Sequence, residues 1–367
     1  MEKDIKFIVK KKRRSVVIDT MLCRMIQIIL SIIIICMLCV GINAHAATVS
    51  YKKKQILVGE SFRLTVKSKN TVTYRSDNKK ICKVSKNGKV TGMRQGMTTI
   101  RIKVGKKTYK CKVTVNKYVD LILFVGQSNM TGQGGNAALA PKLTDGAGYE
   151  CKTMGTNVTL EPLKEPFGYG EDSLLLNDSG YHNGTLVTAF ANSYFKETGV
   201  PVICVAATRG GSNSGQWVSS YGDEAIQRYT KAYRFIKKNK LKVRNSYLVY
   251  YQGESEAIYA SAGFTPDYYK INVDNFVKKV MEKTKVSKCL LIPIGNSLKK
   301  VVEYDAIRIA QEQLCEGNDN IIMITEKTPV LTSRYYISDG IHINQIGLNL
   351  IGKDAGTNAG RLAGRGR

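Results

Sequence analysis

Between residues 119 and 354 the chain alternates short apolar runs with stretches of helical period, and few folds accept that pattern. The apolar runs are Asp120–Val125, Pro201–Ala206, Ser246–Tyr251, Cys289–Ile294 and Asn320–Ile324. Between them, Ala225-Ile226, Tyr229, Ala232-Tyr233 and Ile236 recur at helical spacing, as do Val273, Phe276-Val277 and Val280-Met281. Strands alternating with helices predict a parallel sheet covered on both faces, an α/β domain of three layers. In such a sheet a ligand binds in the loops beyond the carboxyl ends of the strands. Ser128 follows the first run, Gly210-Gly211 the second and Gln252-Gly253-Glu254 the third, so all three fall on that edge.

The preceding segment is different in kind. Residues 48–118 hold 20 Lys and Arg against 2 Asp and Glu, whereas residues 119–367 hold 28 against 24. Such a break marks a domain boundary near Lys117-Tyr118-Val119. Gln55–Val58, Phe62–Val66, Thr99–Val104 and Lys110–Val115 alternate apolar with polar or charged residues, with turns at Asn87-Gly88 and around Gly105. Period-two alternation with one apolar face predicts a small β-sandwich over residues 48–116. Its net charge of +18 suggests contact with an anionic polymer, such as that of a bacterial wall; solvated surface lysines are the competing explanation. Nucleic acid is a poor candidate, because no groove-reading motif is present.

Residues 1–46 read as an export signal. Lys10–Arg14 and Arg24 precede an apolar stretch from Met25 to Ile42, and Ala44-His45-Ala46 supplies the small residues for cleavage before Ala47. The alternative is an uncleaved anchor, since about 18 apolar residues just span a bilayer. Met21 is a second candidate start. Export places the protein outside the cell or on its surface. Of nine cysteines, six lie beyond the leader, and Cys82 with Cys111 is the expected disulfide because both fall in the all-β segment. With three histidines in the chain and no Cys-x-x-Cys beyond the leader, neither a metal nor a cofactor is expected. The glycine-containing end, residues 355–367, reads as a loose basic tail.

A serine at a strand-to-helix turn is exposed, and the first helical amides face an incoming oxyanion. Ser128, in Gly126-Gln127-Ser128-Asn129-Met130, is so placed. Its hydroxyl needs a base. His45 lies in the leader, and of His182 and His342 only His342 has a carboxylate, Asp339, three residues before it. Ser128, Asp339 and His342 are the ingredients of a triad in which His342 takes the serine proton and Asp339 fixes its tautomer. Taken alone, Asp339 and His342 also fit a helix cap followed by a surface histidine. Gln252 has an amide to offer an oxyanion beside the N–H groups of Ser128 and Gly211. Gln127, Asn129 and Glu254 flank these groups and are the candidates for contact with substrate.

The motifs Gly126–Met130, Gly210-Gly211, Gln252-Gly253-Glu254 and Asp339-x-x-His342, with Leu160–Leu163 and Thr188–Ala191, resemble the carbohydrate O-acetylesterase branch of the SGNH hydrolases. That branch includes sialate O-acetylesterases and acetyl xylan esterases. The resemblance spans about 235 residues and implies a flavodoxin-like αβα domain over residues 119–354. It also implies Ser128 as nucleophile, His342 as base, Asp339 as its partner, and an oxyanion hole from Ser128, Gly211 and Gln252. Two departures stand out: Tyr250-Tyr251 where the branch has Trp-His, and Glu256 where it has Asp. Upstream, Tyr74–Asn78, Val84–Gly92 and Gly96–Ile100 resemble a bacterial Ig-like group 2 module in single copy.

With the export signal, the resemblance points to a secreted serine esterase that removes acetyl groups from carbohydrate without a cofactor. Two readings compete with it. One is a surface protein that binds carbohydrate or wall through an inactive hydrolase domain; the other keeps the triad for a lipid or thioester. Residues 136–183, rich in glycine and turn formers, are expected to line the sugar site.

Overall fold

The computed structural model describes residues 21–32, 47–298 and 303–364. Residues 21–32 form an exposed helix, α1. Among the described residues no helix is long and apolar enough to cross a membrane. The cleavage site read at 44–46 lies outside the described residues.

The first β region contains β1 (Thr48–Val49), β2 (Lys53–Leu57), β3 (Ser61–Arg63), β4 (Val66–Lys67) and β5 (Val72–Ser76). It continues through β6 (Cys82–Val84), β7 (Lys89–Gly92), β8 (Gly96–Val104) and β9 (Lys107–Asn116). A four-stranded sheet, β2-β9-β8-β5, faces a three-stranded one, β3-β7-β6, and β1 pairs with β4. Alternation decides which residues are inside. Ile100, Ile102 and Val104 of β8 and Val113 and Val115 of β9 join Ile56, Leu64 and Val90 in one core, and the residues between them face outward. Cys82 and Cys111 belong to this core, but both are free thiols, so the expected disulfide is not formed. Burial raises each thiol to about 11, which makes the pair small apolar core groups.

Lys117 separates β9 from β10 (Tyr118–Gly126), the centre of the second sheet. The further strands are β11 (Gly148–Lys152), β12 (Thr159–Pro162), β13 (Val202–Thr208), β14 (Lys242–Tyr251), β15 (Lys288–Leu291) and β16 (Ile321–Met323), in the spatial order β12-β11-β13-β10-β14-β15-β16. All pairings are parallel except that of β12 with β11. The helices are α2 (Ser128–Thr131), α3 (Val187–Thr198), α4 (Ser214–Val218), α5 (Ser220–Lys238), α6 (Glu254–Ile258), α7 (Pro266–Lys283), α8 (Glu303–Gly317) and α9 (Gln345–Ala363).

β10 shows why the domain has three layers. Leu121, Leu123 and Val125 enter a core completed by Tyr229 and Ile236 of α5, Phe276 of α7 and Ile307 of α8. Ile122 and Phe124 enter the opposite core, completed by Phe190 and Tyr194 of α3 and Ile351 and Ala355 of α9. A strand buried on both faces reads as the unbroken apolar run seen in the sequence.

One expectation needs correction. Residues 355–363 are not a loose tail but the second half of α9, capped by Asn344 at its start. The glycines that suggested looseness recur every four residues and so share one helix face. A Cβ at Gly352 would lie 2.2 Å from the Leu186 carbonyl oxygen and one at Gly356 2.3 Å from that of Phe190, so glycine lets α9 press against the backbone of α3. Residues 136–183 also supply the edge strand β12 and its neighbour β11. The β-sandwich is held against the second domain beside these strands. Glu60 Oε2 accepts from Tyr149 Oη at 2.9 Å, Asp145 pairs with Lys54 and takes the Gln55 amide at 2.6 Å, and Leu57 is buried in the second domain's core.

Candidate active site

β10 delivers its last residue, Gly126, against the adjoining β14, where a Cβ would fall 2.0 Å from the Tyr251 carbonyl oxygen. Only glycine lets the two strand ends stay that close while the chain turns into α2. Ser128 opens that turn, and its N–H is one of the first amides, which have no carbonyl four residues back to bond.

His342 meets it from the loop before α9. His342 Nε2 lies 2.8 Å from Ser128 Oγ, and His342 Nδ1 lies 2.6 Å from Asp339 Oδ2. The other carboxylate oxygen, Asp339 Oδ1, accepts the backbone N–H groups of Ile341 at 2.8 Å and His342 at 2.9 Å. Burial pushes the Asp339 carboxyl up, but the bonds from the His342 ring and the two amides outweigh it and hold it below its ordinary value. An ionised Asp339 accepts a hydrogen bond from Nδ1–H, which keeps the proton on Nδ1 and leaves Nε2 as the acceptor for the serine hydroxyl. Ser128, Asp339 and His342, 214 residues apart at their extremes, thus form one hydrogen-bonded line.

The loop after β13 supplies the facing donor. Gly211 sits at φ +67°, with nothing within 4 Å of where a Cβ would be, and its N–H has no acceptor among the described residues. The adjacent Gly210 packs near Ser128 Cβ, and its amide donates to Asp178 Oδ1 at 2.7 Å. Asp178 Oδ2 takes the Thr131 hydroxyl at 2.6 Å, so one buried carboxylate joins α2 to the Gly210-Gly211 turn. The sequence gives no sign of this role, because Asp178 stands in a turn-rich run, Asn177-Asp178-Ser179-Gly180. Arg209 stays partly exposed, with Nη1 4.0 Å from Asp178 Oδ1.

Gln252 does not contribute as expected. Its side chain is fully buried, and Nε2 donates to Gln127 Oε1 at 3.1 Å, the Ser212 carbonyl at 3.0 Å and Glu256 Oε2 at 2.6 Å. Two hydrogens serving three acceptors leave none for an oxyanion. Gln127, Asn129 and Glu254, expected to touch substrate, are likewise sealed beneath the serine. Gln127 Oε1 collects the amides of Gly253 and Ser255 as well as Gln252 Nε2. Asn129 Nδ2 donates to Glu254 Oε1 at 2.7 Å while its Oδ1 accepts the Ile343 amide at 2.9 Å, which ties the serine turn to the histidine loop. Burial raises Glu254 to about 7, against the Asn129 bond, and its second oxygen has no partner among the described residues. These residues hold the floor on which Ser128 and His342 stand. Of the other histidines, His182 is nearly buried with its Nε2 3.4 Å from Asp172 Oδ1.

A mostly parallel sheet between two helical layers, with serine, histidine and aspartate joined at its carboxyl edge, defines the class as a three-layer αβα fold. The family follows from comparison. The family model described as carbohydrate esterase, sialic acid-specific acetylesterase, matches residues 118–357, and the chain belongs to that family. A bacterial Ig-like domain model matches residues 70–117. Among solved structures, a protein from Arabidopsis thaliana superposes with a TM-score of 0.52 at 17% identity, over 67% of this chain and 98% of that one. A carbohydrate acetylesterase from Xanthomonas citri matches with a TM-score of 0.39 at 15% identity, over 85% of this chain and 73% of that one. No curated protein matches the chain.

Proposed function

We propose that the protein is a serine esterase that removes O-acetyl groups from carbohydrate, of the sialate or xylan type, by way of an acetyl-serine. The observation that carries this is the contact of Ser128 Oγ with His342 Nε2 at 2.8 Å, with Asp339 on the far side of the ring. Ser128 Oγ attacks the acetyl carbonyl carbon as its proton passes to His342 Nε2. The oxyanion so formed lies toward the N–H groups of Ser128 and Gly211. Collapse expels the sugar oxygen, which takes the proton from His342. Water then adds to the acetyl-serine with His342 again as base, and acetate leaves with Ser128 restored.

A purified Ser128→Ala protein is expected to lose aryl acetate hydrolysis by about 10⁴-fold or more. Wild-type turnover in that variant would sink the reading. Acetate release from a panel of acetylated sialic acids and acetyl xylan selects the sugar. Export is part of the proposal, supported by the basic leader, its apolar run and Ala44-His45-Ala46. The secreted form is expected to begin at Ala47, and N-terminal sequencing of material from the culture medium checks this.

A further inference from the structure

Outside the active edge, the densest charge is on the outer face of the β2-β9-β8-β5 sheet. The residues between the core positions of these strands place Lys53, Arg75, Arg101, Lys103, Lys110 and Lys112 on that one face. The register sets cations directly opposite cations. Lys53 pairs with Lys112, Lys110 with Arg101, and Arg101 with Arg75, so one row carries three positive side chains across three strands. Like charges directly opposite each other in a sheet destabilise it.

Two carboxylates border these rows among the described residues: Asp77 takes Arg101 Nε at 2.7 Å and Arg75 Nη2 at 3.8 Å, and Asp145 is engaged with Lys54 and the Gln55 amide at the β2 edge. Lys53, Lys103, Lys110 and Lys112 are exposed and have no ion-pair partner among the described residues. Solubility needs scattered charge and does not explain facing rows of one sign. Strands about 4.8 Å apart, with successive outward residues about 6.7 Å apart, make a lattice of cations on the scale of a charged polymer's repeat.

We propose that this face binds a linear polyanion, a chain of regularly spaced phosphodiester or carboxylate groups. Placement gives the surface a use. β10 leaves the β-sandwich at Tyr118 and reaches the active edge at Gly126 eight residues later, roughly 26 Å away. A polymer held on the sheet therefore tethers the protein from the end opposite Ser128 and does not occupy the active edge. The proposal goes beyond the esterase reading and stands or falls without it.

The test uses the full chain with Lys53, Lys103, Lys110 and Lys112 all changed to Gln, beside a control in which Lys237, Lys238, Lys240 and Lys283 are changed instead. The probes are immobilised poly(glycerol phosphate) and polygalacturonate. The wild type and the control are expected to bind at least one probe, with affinity falling as salt rises, and the sheet variant to bind about tenfold more weakly or worse. The probe that is bound tells phosphate from carboxylate. Aryl acetate hydrolysis is expected to be unchanged in both variants, which shows that they are folded and keeps failure of this surface separate from failure of the esterase. Binding of neither probe by the wild type, equal binding by the sheet variant, or an equal loss in the control overturns the proposal.

Discussion

Replacing Glu254 with Gln tests the polar floor of the site through its pH dependence. Glu254 is 1% exposed, one oxygen accepts from Asn129, and the other has no partner among the described residues. Burial, opposed by the Asn129 bond, moves its carboxyl from an ordinary 4.5 to about 7. The sign follows from which state releases the proton first. Below the unfolded value both states are protonated and stability is at its fullest. Between that value and the folded one, the unfolded chain ionises while the folded chain does not. Stability then falls by about 1.4 kcal/mol per pH unit. Above the folded value both states are ionised, and the loss levels off at about 3 kcal/mol. The Gln variant does not titrate. Its amide nitrogen, left without an acceptor, costs about 1–3 kcal/mol, but the same amount at every pH. The stability of the variant relative to the wild type, from urea unfolding, should therefore rise by about 2–3 kcal/mol between about pH 5 and about pH 8. Relief of the neighbouring Glu256, itself raised by burial, acts in the same direction. A difference that stays flat over that range would show that Glu254 does not hold its proton, and the account of the floor would be wrong.

Other substitutions separate chemistry from support. Asp339→Asn keeps a side chain of the same size but disturbs the His342 tautomer, and kcat on an aryl acetate should fall by about 10³–10⁴-fold; a loss of less than about tenfold would remove Asp339 from the mechanism. Asp178→Ala releases the Gly210 amide and the Thr131 hydroxyl, so kcat should fall by about 10- to 100-fold with KM for a small acetate little changed; an unaltered kcat refutes its role in holding the Gly211 turn. Gly356→Leu puts a side chain where the Phe190 carbonyl already lies and should destabilise the fold by about 3 kcal/mol, read by thermal or urea unfolding. Because Cys82 and Cys111 are free thiols, excess dithiothreitol should leave the unfolding temperature where it is.

What could be read in advance depended on how each residue's neighbours are specified. The parallel strands were legible because burial on both faces writes them as unbroken apolar runs, and β10, β13 and β14 lie close to the expected spans. Scarcity did the same for the triad: with so few histidines, the carboxylate before His342 picked out the pair that meets Ser128. β11 and β12 were not legible. They are short strands at one side of the sheet in a stretch dense with glycine and turn formers, and only pairing of β11 with β13, and of the edge strand β12 with β11, makes them strands. The end of α9 was misread for a related reason. Glycine weakens a helix in isolation by about 1 kcal/mol per residue, and nothing local reports that α3 presses against that face.

The Gln252 region shows most sharply where motif and mechanism part. Tyr250-Tyr251-Gln252-Gly253-Glu254-Ser255-Glu256 sits at the active edge, and its polar groups invite assignment to the substrate. Yet the Tyr250 hydroxyl donates to Gln252 Oε1 at 2.9 Å, which leaves Nε2 to face Gln127, Ser212 and Glu256. Glu256 Oε1 in turn takes the Ser214 amide at the start of α4. One buried network thus joins the ends of β10, β13 and β14, and the first two of these strands carry the loops that present Ser128 and Gly211. An oxyanion donor is useful only if it is held where charge will develop, and backbone amides stay there only when the loops that carry them cannot move apart. Burial alone does not sort these residues, since Ser128 is as buried as Gln127 and Asn129. Hydrogen bonding does, because the polar groups of Gln127, Asn129, Gln252, Glu254 and Glu256 bond to one another and to the loop backbones, while the Gly211 N–H is left without an acceptor among the described residues.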